Sequence, residues 1–288
     1  MPGRTRAGER VTGTTRPGGR ADLPGPLAIV GAGRLGTAIR AALGVAGLPV
    51  SGPHGRGYRG AGDAIVLLCV PDDAIAAAAA AVGPGPLLGH CSGVSGLDVL
   101  GGRAGFSVHP LMTVTRQGAD FRGVWAAVSG SSPKAIRTAE ALAAVLGLRP
   151  VRVAEQDRAA YHAAASIAAN FLVTVESAAA ELMATTGLDR AVLVPLARAA
   201  LENWSSSGTA ALTGPVARGD TLTVARHRAV VAGRTPELIG LFDALVGATE
   251  RIAAGNPIVS AGPPAGTAGT DVGQDARRDA IGTESSTP

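Results

Sequence analysis

Leu27-Ala-Ile-Val-Gly31-Ala-Gly33-Arg34-Leu35-Gly36 is the stretch whose reading decides the fold. Four apolar residues, enough for a short buried strand, run straight into Gly31-x-Gly33-x-x-Gly36. A helical pattern follows at once through Arg40, Ala41, Leu43 and Val45. In a dinucleotide site of this form the first glycine makes the tight turn. The second lets the backbone approach a pyrophosphate, and the third lets the helix pack closely on the strand. The phosphates then meet unpaired N–H groups at the positive end of the helix dipole. In a chain with 41 glycines the spacing alone is weak; the strand before it and the helix after it give it weight. Gly31, Gly33, Arg34, Leu35 and Gly36 are therefore candidate cofactor-binding residues.

Working outward, Leu48–Ser51 reads as a second strand. An NAD-type site would place an Asp or Glu at its end to hold the ribose 2′-hydroxyl, and none is present. Ser51, His54, Arg56 and Arg59 follow instead, hydroxyl and guanidinium groups that suit a 2′-phosphate, so NADP(H) is the expected cofactor. Ala64–Val70 is a continuous apolar run of the kind found in a central parallel strand buried on both faces. Its end, with Val70 and Pro71, is placed to face the cofactor, and Asp72-Asp73 read as an N-cap and a first-turn dipole partner. Further strands are expected at Leu87–His90, Gly105–Pro110, Val124–Ser129 and Pro150–Ala154, with a helix opened by Ser132-Pro133. Strands alternating with helices at this spacing specify an α/β domain with a doubly wound, mostly parallel sheet.

From Glu155 the period changes. Ala159 to Thr185 contains no proline and reads as one long, mostly apolar helix, normally buried against other helices or a second subunit. Helical segments follow near Asp189–Trp204, Asp220–Ala232 and Pro236–Ala254, with Pro195 as a kink or start and Thr235 as N-cap. The expected organisation is a tail over 1–26, a Rossmann-type NADP-binding domain over 27–154, an all-α domain over 155–254 and a second tail over 255–288. Both tails lack the apolar content needed to offset ordering entropy, so they are expected to be disordered.

Composition narrows the partners. Five Arg against Glu9 and Asp22 give the first 26 residues most of the chain's net charge of +4, which reads as a solvated tail. With few aromatics there is no stacking platform for single-stranded nucleic acid. No apolar N-terminal segment and no apolar run approaching 18 residues stand out, so neither export nor a membrane span is expected. Cys69 and Cys91 form no metal-binding spacing and read as reduced, buried thiols of a cytoplasmic protein. Five histidines without HxH or HxxxH spacing give no metal site.

The order of motifs carries a resemblance. Gly31–Gly36, Cys69-Val-Pro-Asp72, His90-Cys-Ser-Gly93, Val108-His-Pro110 and a long helix after Glu155-Gln-Asp157 resemble the 6-phosphogluconate-dehydrogenase-like reductases, which include pyrroline-5-carboxylate reductase and ketopantoate reductase. His109-Pro-Leu-Met-Thr113, Tyr161-His-Ala-Ala-Ala165 and Ala211-Leu-Thr-Gly-Pro-Val-Ala-Arg-Gly-Asp220 are more closely similar to Rossmann-like oxidoreductases with a helical domain of unknown function, DUF2520. That resemblance implies an NADPH-dependent reductase of a small 2-oxo acid, best represented by 2-dehydropantoate, and a homodimer through the helical domain. Imine reduction is the alternative. It is weakened here because the Ser-Gly-x-Gly-Pro-Ala segment of pyrroline-5-carboxylate reductase is missing. A regulatory protein that binds NADP without turnover is a further alternative.

Such a reductase needs a proton donor and a cradle for the anionic end of its substrate. His162, Ser166 and Asn170 recur at i, i+4 and i+8 and so share one helix face. The related reductases carry Lys-x-x-x-Asn at the matching point, so His162 stands where the lysine stands and Ser166 at the asparagine. A histidine can donate near neutral pH without a lysine's assured charge, which is the main support for the non-catalytic reading. His109, at a strand end before a proline, is a second catalytic candidate, with Asn170 beside His162. Ser166, Ser92 and Arg218 are candidate substrate ligands, Arg218 as a carboxylate clamp or as a loop residue held by Asp220. Tyr161 projects about 100° from His162 and is expected to pack elsewhere.

Overall fold

The structure is a computed structural model that describes residues 23–256 and 258. The tails expected to be disordered fall, but for a few residues at their inner ends, outside this range. The chain divides into two compact units at Thr174/Val175.

The first unit is built on a seven-stranded sheet. Its strands are β1 (Leu27–Val30), β2 (Val50–His54), β3 (Ile65–Leu68), β4 (Leu87–His90), β5 (Gly105–Pro110), β6 (Trp125–Gly130) and β7 (Arg149–Arg152). They lie in the order β2-β1-β3-β4-β5-β6-β7. Every neighbouring pair is parallel except β5–β6. The segment joining β5 to β6 contains no crossover helix, and without one the chain can return only antiparallel. Helices α1 (Arg34–Val45), α2 (Ile75–Ala81) and α3 (Pro133–Val145) cover the faces.

Two-residue alternation explains the layers. Leu27, Ile29, Ile65 and Leu67 join one core with Ile39 and Leu43 of α1 and Leu142 of α3. Their neighbours Ala28, Val30, Val66 and Leu68 join the opposite core with Ile75 and Ala79 of α2. The unbroken apolar runs are thus strands buried on both faces. At β5 the pattern changes. Phe106 and Val108 enter the first core, so Ser107 and His109 face the other side. Helix α4 (Arg158–Ser166) meets that polar side through Arg158 and Tyr161.

Several local expectations need correction. The second strand starts two residues and ends three residues later than expected and includes Pro53, tolerated because β2 is the sheet edge. Asp72 and Asp73 sit in the first turn of a short helical segment, but Pro71 holds the N-cap and no carboxylate caps it. The helix Glu155–Ala184 is continuous but not uniform, because Ile167–Phe171 widens into a π-helical turn before α5 (Leu172–Ala184). By length and composition this helix could cross a membrane, and none of its most apolar window is buried. Its apolar residues are interrupted by His162, Ser166 and Asn170, so no unbroken apolar run approaches 18 residues.

In the second unit, α6 (Val194–Ser207), α7 (Thr221–Arg234) and α8 (Ile239–Ala253) follow α5. Pro195 stands in the first turn of α6 and starts that helix. Asp220 caps α7, its carboxylate accepting from Thr223 N and Oγ1. Thr235 holds the N-cap position before Pro236, as expected, but its hydroxyl donates back to the Val231 carbonyl and makes no side-chain cap. Arg228 pairs with Asp243 and ties α7 to α8. Large apolar side chains stay open here, with Leu196 at 68%, Trp204 at 61% and Leu222 at 74% exposure.

Candidate functional site

The glycine turn does what its spacing requires. Gly31 has φ +109°, and a Cβ there would collide with the Cys69 carbonyl at the end of β3. A Cβ on Gly36 would collide with the Gly31 carbonyl, so only hydrogen lets α1 sit this close to β1. Gly33 is the opposite case. Nothing lies within 4 Å of its absent Cβ, and as N-cap it offers no side chain to the first N–H groups of α1. That open cradle, with free donors at a helix start, fits a dinucleotide pyrophosphate. Leu35 turns away from it and packs on the core.

Three cavities adjoin the turn. One of about 530 Å³ is lined by Gly31, Ala32, His54, Arg56, Val70 and Pro71, among others. His54 stacks on Tyr58 with ring centroids 3.7 Å apart, and Tyr58 donates to Asp63, so one wall is a fixed aromatic pair. Ser51 lies behind His54, its Oγ 3.0 Å from Nε2, and does not line the cavity. A second, of about 340 Å³, lies between Ala32, Gly33 and Arg34 on one side and Thr115–Gly118 on the other. The third, of about 610 Å³, is lined by Arg34, His109, Tyr161, His162, Ser166 and Asn170, with Leu111–Val114 and alanines of α4.

The third cavity holds most of the chemistry. His109 projects from the end of β5, and Tyr161 Oη lies 2.9 Å from its Nδ1. The His162 ring stands across from His109, centroids 5.9 Å apart at 71°. Gly93 makes room for both: a methyl there would come within 2.6 Å of His162 Cδ2 and 2.8 Å of His109 Cε1. Burial drives His109 down to about 4, helped by the charges of His162 and Arg158, so the ring is neutral at pH 7. Burial also raises the Tyr161 hydroxyl above its ordinary value. His109 and Tyr161 therefore meet the cavity as neutral groups.

Arg158 underlies that cluster. Its side chain is 3% exposed, and its Nη2 donates to Ser107 Oγ and Ser129 Oγ. Nη1 reaches the carbonyls of Ser92 and Gly93, and Nε pairs with Glu155 at 3.3 Å. A buried guanidinium is tolerated only when its donors are used, and these are used on four separate segments. His90 is buried beside it, accepting from Ser92 N at Nδ1 and facing Gly96 O through Nε2, and is lowered to about 4 by burial and by Arg158. It clasps its own loop.

Among the residues expected at a site, His109, His162, Ser166, Asn170 and Arg34 come together in one cavity. Gly31, Arg56, Val70 and Pro71 come together in another. Ser92 does not line the third cavity; its Oγ accepts from Ser95 N. Arg218 is exposed in the second unit; Asp220 accepts from Thr223, and the Arg218 charge helps hold the Asp220 carboxyl below its ordinary value. Tyr161 corrects an expectation: it joins the cavity with His162, because its long side chain carries the hydroxyl to His109 at the end of β5. Arg158 was missed altogether. The alternation Phe106-Ser107-Val108-His109 was the signal, since a polar strand face needs a polar partner. Among the described residues no group of three His, Cys, Asp or Glu is placed to hold a metal.

A mostly parallel sheet with a glycine turn leading into α1 and cavities along the carboxyl ends of its strands defines a Rossmann-type nucleotide-binding fold. Residues 124–249 match the family model described as "Domain of unknown function (DUF2520)", and over this segment the resemblance read from the motifs holds. Among solved structures, a provisionally named NADP oxidoreductase from Bacteroides fragilis is similar at 20% identity and TM-score 0.68, over 80% of this chain and 99% of that one. A reductive aminase from Aspergillus terreus, in complex with NADPH and ethyl-5-oxohexanoate, is similar at 15% identity and TM-score 0.59, over 81% and 96%. Pyrroline carboxylate reductase from Plasmodium falciparum, with NADP bound, is similar at 12% identity and TM-score 0.52, over 80% and 98%. Comparison with curated protein sequences finds no match.

Proposed function

We propose that this protein is an NADPH-dependent reductase of a small carbonyl compound. One observation carries the reading. The three cavities are linked end to end by shared residues, Ala32 between the first two and Arg34 between the last two, forming a groove across the glycine turn. Such a groove suits a dinucleotide with its reactive ring toward the histidines. Three similar structures carry an NADP or NADPH name or ligand, which supports the same choice. Arg56, with no carboxylate at the end of β2, favours the 2′-phosphate.

Bound NADPH supplies a hydride to a C=O or C=N carbon. The chain's own part is orientation and proton supply. His109 and His162 face each other across the cavity, able to hydrogen-bond the reacting oxygen or nitrogen. Ser166, Asn170 and Arg34 line the same space and can orient an anionic end. A 2-oxo acid, with 2-dehydropantoate the preferred case, uses that full set. The imine reading is favoured by the similarity to a reductive aminase and a pyrroline carboxylate reductase.

NADPH oxidation measured with a panel of 2-oxo acids and cyclic imines separates these readings. Turnover with 2-oxo acids supports the first and turnover only with imines the second. Tight NADPH binding without turnover of any of them leaves a binding protein, and no binding removes the whole reading. A second copy of the chain is proposed to cover the open apolar residues Leu196, Trp204 and Leu222, and a monomer in sedimentation equilibrium overturns that.

A further inference from the structure

We propose that Tyr161 is a positioning residue that fixes His109 as its Nε2–H tautomer, so that His109 polarises the substrate as a neutral donor and leaves proton delivery to His162. The substrate half of this rests on the reductase reading; the tautomer half rests on the contact between Tyr161 and a neutral His109.

Tyr161 Oη is 2.9 Å from His109 Nδ1, and the rings stand at 86°, so the hydroxyl meets the imidazole at its edge, where the nitrogen lone pair lies. The phenol has one proton to give. It is a stronger acid than an imidazole N–H, and the bare imidazole nitrogen is a stronger base than a phenol oxygen, so the hydroxyl donates and Nδ1 accepts. A neutral imidazole accepting at Nδ1 carries its hydrogen at Nε2. His90 reaches the same tautomer by a different route, with Ser92 N–H donating to Nδ1. The two rings then diverge. The Nε2–H of His90 is taken by Gly96 O, whereas no acceptor among the described residues takes that of His109, which lines the 610 Å³ cavity.

The groups facing His109 keep it neutral. Arg158, His162 and His90 all oppose a proton on its ring, and Asp72 alone favours one, more weakly than burial, His162 and Arg158 together oppose it. A neutral imidazole N–H can polarise a carbonyl without surrendering its proton. The proton then has to come from the other ring at the cavity, His162.

The test uses full-length protein labelled with ¹⁵N-histidine and read by long-range ¹H–¹⁵N correlation at neutral pH, without substrate or cofactor. His109→Gln assigns the resonance. The expected wild-type pattern for His109 is Nε2–H, like that of His90, and Tyr161→Phe turns it into a mixture of tautomers while His90 stays as it was. An Nδ1–H pattern in the wild type overturns the proposal, and so does an unchanged Nε2–H pattern in Tyr161→Phe. If the protein also turns over NADPH, Tyr161→Phe lowers kcat about tenfold with KM for NADPH unchanged. An equal loss in both would assign Tyr161 to the scaffold instead. Because the spectrum needs no turnover, failure of the reductase reading leaves the tautomer result standing.

Discussion

The two ends of the groove are built by different means. The end at Gly31–Gly36 is backbone: one strand, one turn and one helix start, contiguous in the chain and held open by hydrogens where other residues carry side chains. The end at His109 is side chain. It gathers Arg34, the β5 end, the Leu111–Val114 segment and two turns of α4, all resting on a guanidinium that ties four segments together. A backbone site is specified locally and damaged by added bulk. A side-chain site is specified by packing and damaged by lost charge or lost hydrogen bonds.

The sharpest way to break this contrast is to add one methyl at two neighbouring glycines. Gly36→Ala drives a Cβ into the Gly31 carbonyl, and overpacking of this kind costs about 1–3 kcal/mol or more. Urea denaturation should show that loss, with NADPH binding abolished as α1 is pushed off β1. Gly33→Ala meets no atom within 4 Å and should stay within about 0.5 kcal/mol of wild-type stability. It should still weaken NADPH at least about tenfold by calorimetry, because its methyl stands in the cradle. Equal effects at the two positions would mean that the turn is only a packing device.

At the other end the expected weakness is acid. His90 and His109 are held near 4 in the fold, below the ordinary value of 6.5. Between those values the unfolded chain binds more protons than the folded one, so stability rises with pH. It is fully present above about 6.5 and is lost as pH falls toward 4, by up to about 1.4 kcal/mol per pH unit for each histidine. Urea midpoints at pH 7 and pH 5 should therefore separate clearly. A flat profile would place both rings in contact with water.

His162→Gln tests the chemistry and not the scaffold. His162 is half-buried and makes a ring contact with His109, with no hydrogen bond that the fold depends on among the described residues. Turnover should fall roughly 100-fold, in the range for loss of a general acid, with NADPH affinity and urea midpoint nearly unchanged. A loss of stability with little change in turnover would make it a packing histidine.

How much of this was legible follows from the same contrast. The glycine turn, the doubly buried strands Ile65–Leu68 and Leu27–Val30, and the Ser132 cap of α3 are local patterns, and each was readable. His109 and His162 were readable as separate candidates, but what joins them was not. The helical angle alone places Tyr161 away from the site, which ignores the reach of a tyrosine side chain to the end of β5. Arg158 sat unnoticed beside the Glu155-Gln-Asp157 motif, because an arginine near a helix start gives no sign that four segments converge on it. The π turn at Ile167–Phe171 also leaves no mark in an alanine-rich pattern.

The smallest expected effect falls on cofactor choice. Arg56 lines the cavity beyond the end of β2, whereas Ser51 is turned toward His54 and does not line it. Arg56→Ala should weaken NADPH about tenfold, the size of one charge-assisted contact at an exposed position, while NADH is unmoved. Ser51→Ala should change neither by more than about twofold, since its hydroxyl is engaged with an imidazole. Calorimetric titration of both coenzymes against both variants gives the answer as a ratio, independent of any change in the fraction of folded protein. If Ser51→Ala instead erases the preference and Arg56→Ala does not, the 2′-phosphate is read from the strand and not from the loop. This end of the groove would then depend on a side chain as strictly as the histidine end does.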